Sequence, residues 1–207
     1  MMDDGKRATL DDLLAGGVEG RRILVRVDYN VPLGPDGEIT DPIRIRGTLP
    51  TLEALRSGGA RVLLVSHLGR PKGAPDPEAS LAPVARWLSD ALGSPVPLLE
   101  AAPGSPELAS RVEGMAPGEV ALLENIRFLP GETRNDPALA LALAALADDF
   151  VGDAFGVAHR AHASNEGAVR AIREKGGRAV AGRLMERELD FLRESLRDPE
   201  RPFVSLM

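Results

Sequence analysis

Short apolar runs alternate along this chain with segments whose apolar residues recur every three to four positions, and that alternation sets the expected fold. Residues 23–28 form a brief β-branched run behind a glycine-rich lead-in, and residues 62–66 are almost continuously apolar, as in a strand covered on both faces. Residues 96–99, 119–124 and Asp149–Asp153 read as further strands. Residues 48–57 predict a helix with Pro50 in its first turn and Gly58-Gly59 as its stop. Ser80 is placed as the N-cap of a helix over residues 81–92, where Leu81, Val84, Ala85, Leu88 and Leu92 form one stripe. Residues 107–112 read as a weak helix. Asp136 caps an Ala/Leu-rich helix over residues 137–147, with Pro137 at its first position. Arg183–Arg197 is a highly charged helix with Leu184, Leu189 and Leu192 as its apolar residues. This order predicts βαβ units, and so an α/β domain of three layers, α/β/α, on a mainly parallel sheet.

Composition narrows the picture. The chain has 207 residues, 43% of them hydrophobic and only 3% aromatic, so Leu, Val, Ile and Ala must make the core. That suits helices packed on a parallel sheet better than a β-sandwich. A net charge of −6 argues against a general nucleic-acid binder. With no cysteine, disulfides, thiolate nucleophiles and Cys-ligated metals are excluded, and a cytoplasmic setting fits. No apolar run is long enough for a membrane span, and the N-terminal residues lack the apolar segment of a secretory signal.

The candidate chemistry lies just after the strands. If they are parallel, their carboxyl ends share one edge, where open α/β sheets bind ligands. Asp28-Tyr29-Asn30 places a carboxylate and an amide two apart, which fits ligand contact and also fits a plain turn. Arg44 and Arg46 precede a predicted helix, where a bound anion would offset the unfavourable placement of cations. His67-Leu68-Gly69-Arg70, followed by Lys72, offers cationic donors beside a glycine that admits close backbone approach, without Walker A spacing. Arg127, Arg160, His159 and His162 follow the later strands. His159 and His162, three apart, lack further metal ligands at suitable spacing, so anion contact or helix capping is expected of them. Arginines gathered at one edge repel one another, and a small, highly charged anion would relieve them.

Four stretches, Arg-Val-Asp-Tyr-Asn-Val-Pro-Leu from Arg26, Ser-His-Leu-Gly-Arg-Pro from Ser66, Leu-Leu-Glu-Asn-Ile-Arg-Phe from Leu122 and Asp-Ala-Phe-Gly-Val-Ala-His-Arg-Ala-His from Asp153, come in the order and spacing of a known family. The chain resembles the N-terminal domain of phosphoglycerate kinases from about Thr9 to Val204. The resemblance implies a Rossmann-like domain and phosphoryl transfer between 1,3-bisphosphoglycerate and ADP, a step of glycolysis. It implies that Asp28 and Asn30 contact the glycerate hydroxyl and carboxylate region. Arg44 is the implied catalytic residue, stabilising charge on the transferring phosphoryl group. His67, Arg70, Arg127 and Arg160 would hold the 3-phosphate and carboxylate of 3-phosphoglycerate or 1,3-bisphosphoglycerate, with Tyr29, Leu68 and Gly69 in the same substrate-binding motifs. His159 and His162 would support the site. Tyr29 stands where the family usually has Phe, Gly152 where it has Asn, and Pro42 where Asp is frequent.

Residues 1–182 are expected to form the acceptor-binding domain, and residues 183–207 an interdomain helix with the start of a first strand of a nucleotide domain. The run from Arg201 to Met207 reads as a Pro-led strand cut at a domain boundary. Mg-ADP or Mg-ATP belongs to the full-length family enzyme. No cofactor or metal site is expected in this chain, which should bind the acceptor without turning over alone. The full-length family is usually monomeric. A different reading is a non-catalytic anion-binding or interaction module whose tail, residues 203–206, self-associates by strand addition. A Rossmann dehydrogenase is disfavoured, because no Gly-x-Gly-x-x-Gly follows a strand.

Overall fold

The computed structural model describes residues 7–197. The tail expected to form a strand, residues 201–207, lies outside them. In chain order the helices and strands are α1 Leu10–Ala15, β1 Arg22–Val27, α2 Ile43–Ser57, β2 Arg61–Val65, α3 Ala82–Leu92, β3 Leu98–Leu99, α4 Pro106–Glu113, β4 Val120–Leu123, α5 Pro137–Ala145, β5 Asp149–Asp153, α6 Phe155–Ala158, α7 Ala168–Glu174, β6 Ala179–Ala181 and α8 Arg183–Arg197. All six strands are parallel, in the order β3-β4-β2-β1-β5-β6.

Side-chain alternation divides the core into two layers. Ile23, Val25, Val27, Val62, Leu64 and Val151 face the apolar residues of α1, α2 and α3. Leu24, Leu63, Val65, Ala121, Leu123 and Phe150 face those of α4, α5 and α7. The fold is therefore the three-layer, Rossmann-like α/β/α arrangement. Each fully buried Leu or Ile contributes roughly 1.5–3 kcal/mol relative to exposure, so these two faces carry most of the folding drive. Arg26 breaks the pattern. It sits in β1 among apolar neighbours and is 1% exposed.

Local signals place several ends correctly. Asp136 accepts from Leu139 N–H at 3.0 Å and caps α5. The helix read as weak, α4, is complete, because Ser105 caps it and Pro106 opens it. α3 begins one residue after the expected start, with the Ser80 hydroxyl accepting from Ala82 N–H at 3.2 Å. The start of α2 is a correction. It begins at Ile43, so Arg44 and Arg46 lie in its first turn and Pro50 lies inside it. Buried Ile45, Thr48, Thr51, Leu52 and Leu55 hold one face of α2 against the sheet. Pro50 is exposed, so the carbonyl it leaves without a helical partner lies on the solvent side. α1, α7 and β6 are additions to the sequence reading. α1 has a visible signal, the reciprocal capping box of Thr9 and Asp12.

Candidate functional site

The connections after β1 and β2 lead to α2 and α3 on one face, whereas those after β4 and β5 lead to α5 and α7 on the other. Neighbouring strands thus diverge at their carboxyl ends, and a crevice opens there.

The segment after β1 supplies Asp28 and Asn30. Asp28 Oδ2 accepts a hydrogen bond from Arg44 Nη1, so the first turn of α2 closes over the β1 end. A side chain at Gly156 would press on the same carboxylate at 3.2 Å, which explains how α6 comes so near. Asn30 Oδ1 accepts from Gly69 N–H at 2.8 Å. Gly69 has φ +62°, a left-handed conformation that glycine adopts without strain. Its carbonyl accepts from Arg127 Nη1 at 2.8 Å. Asp28, Asn30, Arg44, Gly69 and Arg127 are thereby joined across three strand ends.

His67 lies at the centre of this crevice and is buried, 3% exposed. Its Nδ1 is 3.8 Å from Asp28 Oδ1 and 3.5 Å from Arg26 Nη2. Burial, then the charges of Arg26, Arg127 and Arg160, push its imidazole down to about 3. The sequence reading counted His67 as a cationic donor; the correction is that it is a neutral ring near pH 7. A guanidinium only donates, so Nδ1 faces Arg26 as an acceptor and the ring proton belongs on Nε2. Burial lowers Arg127 from its ordinary value, and Arg160 and Arg70 lower it further, against the opposing pull of Glu132 and Asp28. Arg70, Arg127 and Arg160 thus share one field of positive charge.

Other candidates stand differently. Tyr29 is fully buried, with its hydroxyl 2.8 Å from Thr48 Oγ1 and its N–H donating to Ser66 Oγ at 2.8 Å. The Leu68 side chain is also buried, and its carbonyl accepts from Asn125 Nδ2 at 2.7 Å. In both residues packing has taken the side-chain surface. His159 is exposed at the end of α6. His162 takes an N-cap position, but it caps with its carbonyl, and its Nδ1 is 3.6 Å from Glu132 Oε1.

Sequence reasoning missed the layer beneath. Arg26 Nε donates to Ser164 Oγ at 2.9 Å, and its Nη1 donates to the Val27 carbonyl. Ser164 in turn donates from Oγ to Glu132 Oε1 at 2.6 Å and from N–H to Oε2 at 2.9 Å. Glu132 is fully buried. A charged residue inside an apolar strand could have flagged Arg26, whereas nothing local marks Glu132 or Ser164. Asn125 was also missed as an organiser. Its amide bridges the Leu68 and Ala79 carbonyls at 2.7 and 2.8 Å.

A separate, mainly apolar cavity of about 580 Å³ lies beside the β3 and β4 ends, lined in part by Pro77, Leu99, Leu123 and Phe128. Among the described residues, no three His, Asp or Glu side chains are grouped to hold a metal ion. No helix among the described residues is long and apolar enough to cross a membrane.

The family model for phosphoglycerate kinase matches residues 10–207. The chain is 50% identical over 201 residues to a phosphoglycerate kinase of Gloeobacter violaceus, covering 97% of this chain and 48% of that protein. It is 53% identical over 190 residues to one of Rubrobacter xylanophilus, covering 92% of this chain and 46% of that protein. It thus spans about half the length of the curated relatives it matches. Among solved structures, phosphoglycerate kinase from Coxiella burnetii superposes with a TM-score of 0.76 at 39% identity, over 90% of this chain and 45% of that one. That of Pyrococcus horikoshii superposes with a TM-score of 0.77 at 29% identity, with the same coverage of 90% and 45%. With the matching segments placed around one crevice and the family match running almost from end to end, this chain belongs to the phosphoglycerate kinase family.

Proposed function

We propose that this chain binds 3-phosphoglycerate or 1,3-bisphosphoglycerate in the crevice at the carboxyl ends of β1, β2, β4 and β5. It is then the acceptor half of a phosphoglycerate kinase. In the reaction so assigned, the bond between phosphorus and the acyl oxygen breaks as a terminal oxygen of ADP bonds to phosphorus, and the electron pair stays on the carboxylate. Phosphoryl transfer of this kind depends mainly on position and on charge stabilisation at the oxygens.

The supporting observation is the charge balance around Arg127. Arg70 and Arg160 both act against its charge, and the nearby imidazole of His67 is neutral. Two guanidinium groups ~6 Å apart repel by roughly 3 kcal/mol at an effective dielectric of ~20. A phosphate or carboxylate between them converts that repulsion into paired, bidentate hydrogen bonds. Asp28 and Asn30 provide the acceptor and amide that a glycerate hydroxyl requires. Arg44, held by Asp28 at the front of α2, is the group assigned to the transferring phosphoryl. Tyr29 and Leu68 act as packing that fixes the loops, and His159 and His162 as flanking support.

Titration calorimetry at low salt tests this reading. 3-Phosphoglycerate should bind with an affinity that falls as salt rises, and glycerate, which lacks the phosphate, should bind far more weakly. Equal affinities for the two, or no heat with the folded protein, would end the assignment.

A further inference from the structure

Asp153, the last residue of β5, is fully buried, and no ion pair forms at it among the described residues. Its Oδ1 accepts from Met185 N–H, in the first turn of α8, at 3.0 Å, while Oδ2 has no hydrogen-bond partner within normal distance. Arg183 N–H, at the start of the same turn, is taken by Thr51 Oγ1 of α2 at 2.9 Å. Gly182 brings the chain so near that any side chain there would collide with the Asp153 carboxylate. Further along, α8 rests directly on α2. A Cβ on Gly47 would lie 3.2 Å from Leu184 Cδ2, and Gly47 is one turn from Arg44. Glu188, one turn further along α8, feels the charges of both Arg44 and Asp28.

We propose that Asp153 is a positioning residue for the crevice: its buried carboxylate pins the first turn of α8, and α8 in turn holds α2 so that Arg44 meets Asp28. The ligand arm of this proposal rests on the acceptor reading above; the structural arm does not.

A carboxyl oxygen at a helix N-terminus accepts from its N–H groups in either protonation state, and the helix dipole favours the ionised one. Burial pushes Asp153 up to about 6, against the N–H groups of Met185 and Leu184 and the Thr51 hydroxyl, which pull it down. The titratable groups facing it are Glu188 of α8, which raises it, and the Tyr29 phenol beside β1, itself raised by burial. Because its folded value is raised, the closed arrangement binds the proton more tightly than an opened one, so the pin is firmest below about 6 and loosens as pH rises through that value.

The experiment uses the whole chain. Amide-exchange protection at Leu184 and Met185, corrected for intrinsic rates, is followed by NMR from about pH 5 to pH 8, together with the Arg44 Nε–H resonance. Wild-type protection should fall about tenfold across that range, the size of a helix N-cap, and the Arg44 resonance should move with the same midpoint. Asp153→Asn, which keeps an acceptor for Met185 N–H and carries no charge, should hold both at the low-pH values, whereas Asp153→Ala, which removes the acceptor, should lower protection at every pH and weaken 3-phosphoglycerate several-fold. Flat wild-type protection would overturn the proposal. So would changing protection with an unmoved Arg44 resonance, because Asp153 would then be only a local cap. The wild-type titration needs no variant, so a poorly folding Asp153→Asn leaves the decision intact. If the wild type binds no 3-phosphoglycerate at any pH, the acceptor reading falls while protection and the Arg44 resonance still decide the role of Asp153.

Discussion

Arg26 Nη2 stands 3.5 Å from His67 Nδ1, a buried cation against a buried imidazole at the floor of the crevice. The same guanidinium reaches Ser164, and through it Glu132. Arg26 therefore does two things at once. It denies His67 a proton from below, and it ties the loop after β5 to the end of β1.

The Glu132 link should matter for stability more than any exposed ion pair. Glu132→Ala leaves the Ser164 hydroxyl and N–H unpaired in the interior, and it removes the carboxylate that offsets the Arg26 charge. A loss of about 3 kcal/mol is expected, read as a lower urea midpoint at unchanged slope. Arg170→Ala, which breaks an exposed pair with Glu166, should cost less than ~1 kcal/mol. Equal effects would show that the buried network is not organising this region.

His67 should impose an acid-side loss of stability. Its folded value is about 3 against an ordinary 6.5, so between those values the unfolded chain binds a proton that the folded chain refuses. Its contribution is complete above 6.5 and is lost as pH falls towards 3. His67→Gln should lose less stability between about pH 7 and pH 5 than the wild type, by up to about 2 kcal/mol. Asp153 acts with the opposite sign, because its folded value is raised to about 6, so ionising it on the way up in pH costs stability. Parallel urea titrations of the two variants separate these slopes, and identical slopes would contradict both assignments.

Arg127 carries the densest part of the cationic field. Arg127→Ala removes the bond to the Gly69 carbonyl and the charge flanked by Arg70 and Arg160. 3-Phosphoglycerate affinity should fall by roughly 2–4 kcal/mol, about 30- to 1000-fold, with a shallower salt dependence. Calorimetry at two salt concentrations checks this. An unchanged affinity would move the anion away from Arg127.

Much of the architecture was legible because its signals are local. Asp149–Asp153 and Arg183–Arg197 appear with the bounds expected of them, and Asp136 and Pro137 mark the start of α5. Apolar alternation and capping act over a few residues, so they can be read along a line. The start of α2 was harder. Pro50 signals a first turn locally, yet burial of Ile45 and Thr48 extends the helix back past Arg44.

Asp28, Asn30 and His67 were legible in the sequence because each lies within a few residues of its strand's end, whereas Arg44 reaches the crevice from the first turn of α2. Tertiary structure decided their physical state. Glu132 and Ser164 are 32 residues apart and become partners only when the loops after β4 and β5 meet. His67 is a neutral ring, and Asp153 a carboxylate that titrates near neutrality, because burial and neighbours from other strands set those values. Desolvation and charge fields depend on distance in space, which no pattern along the chain contains.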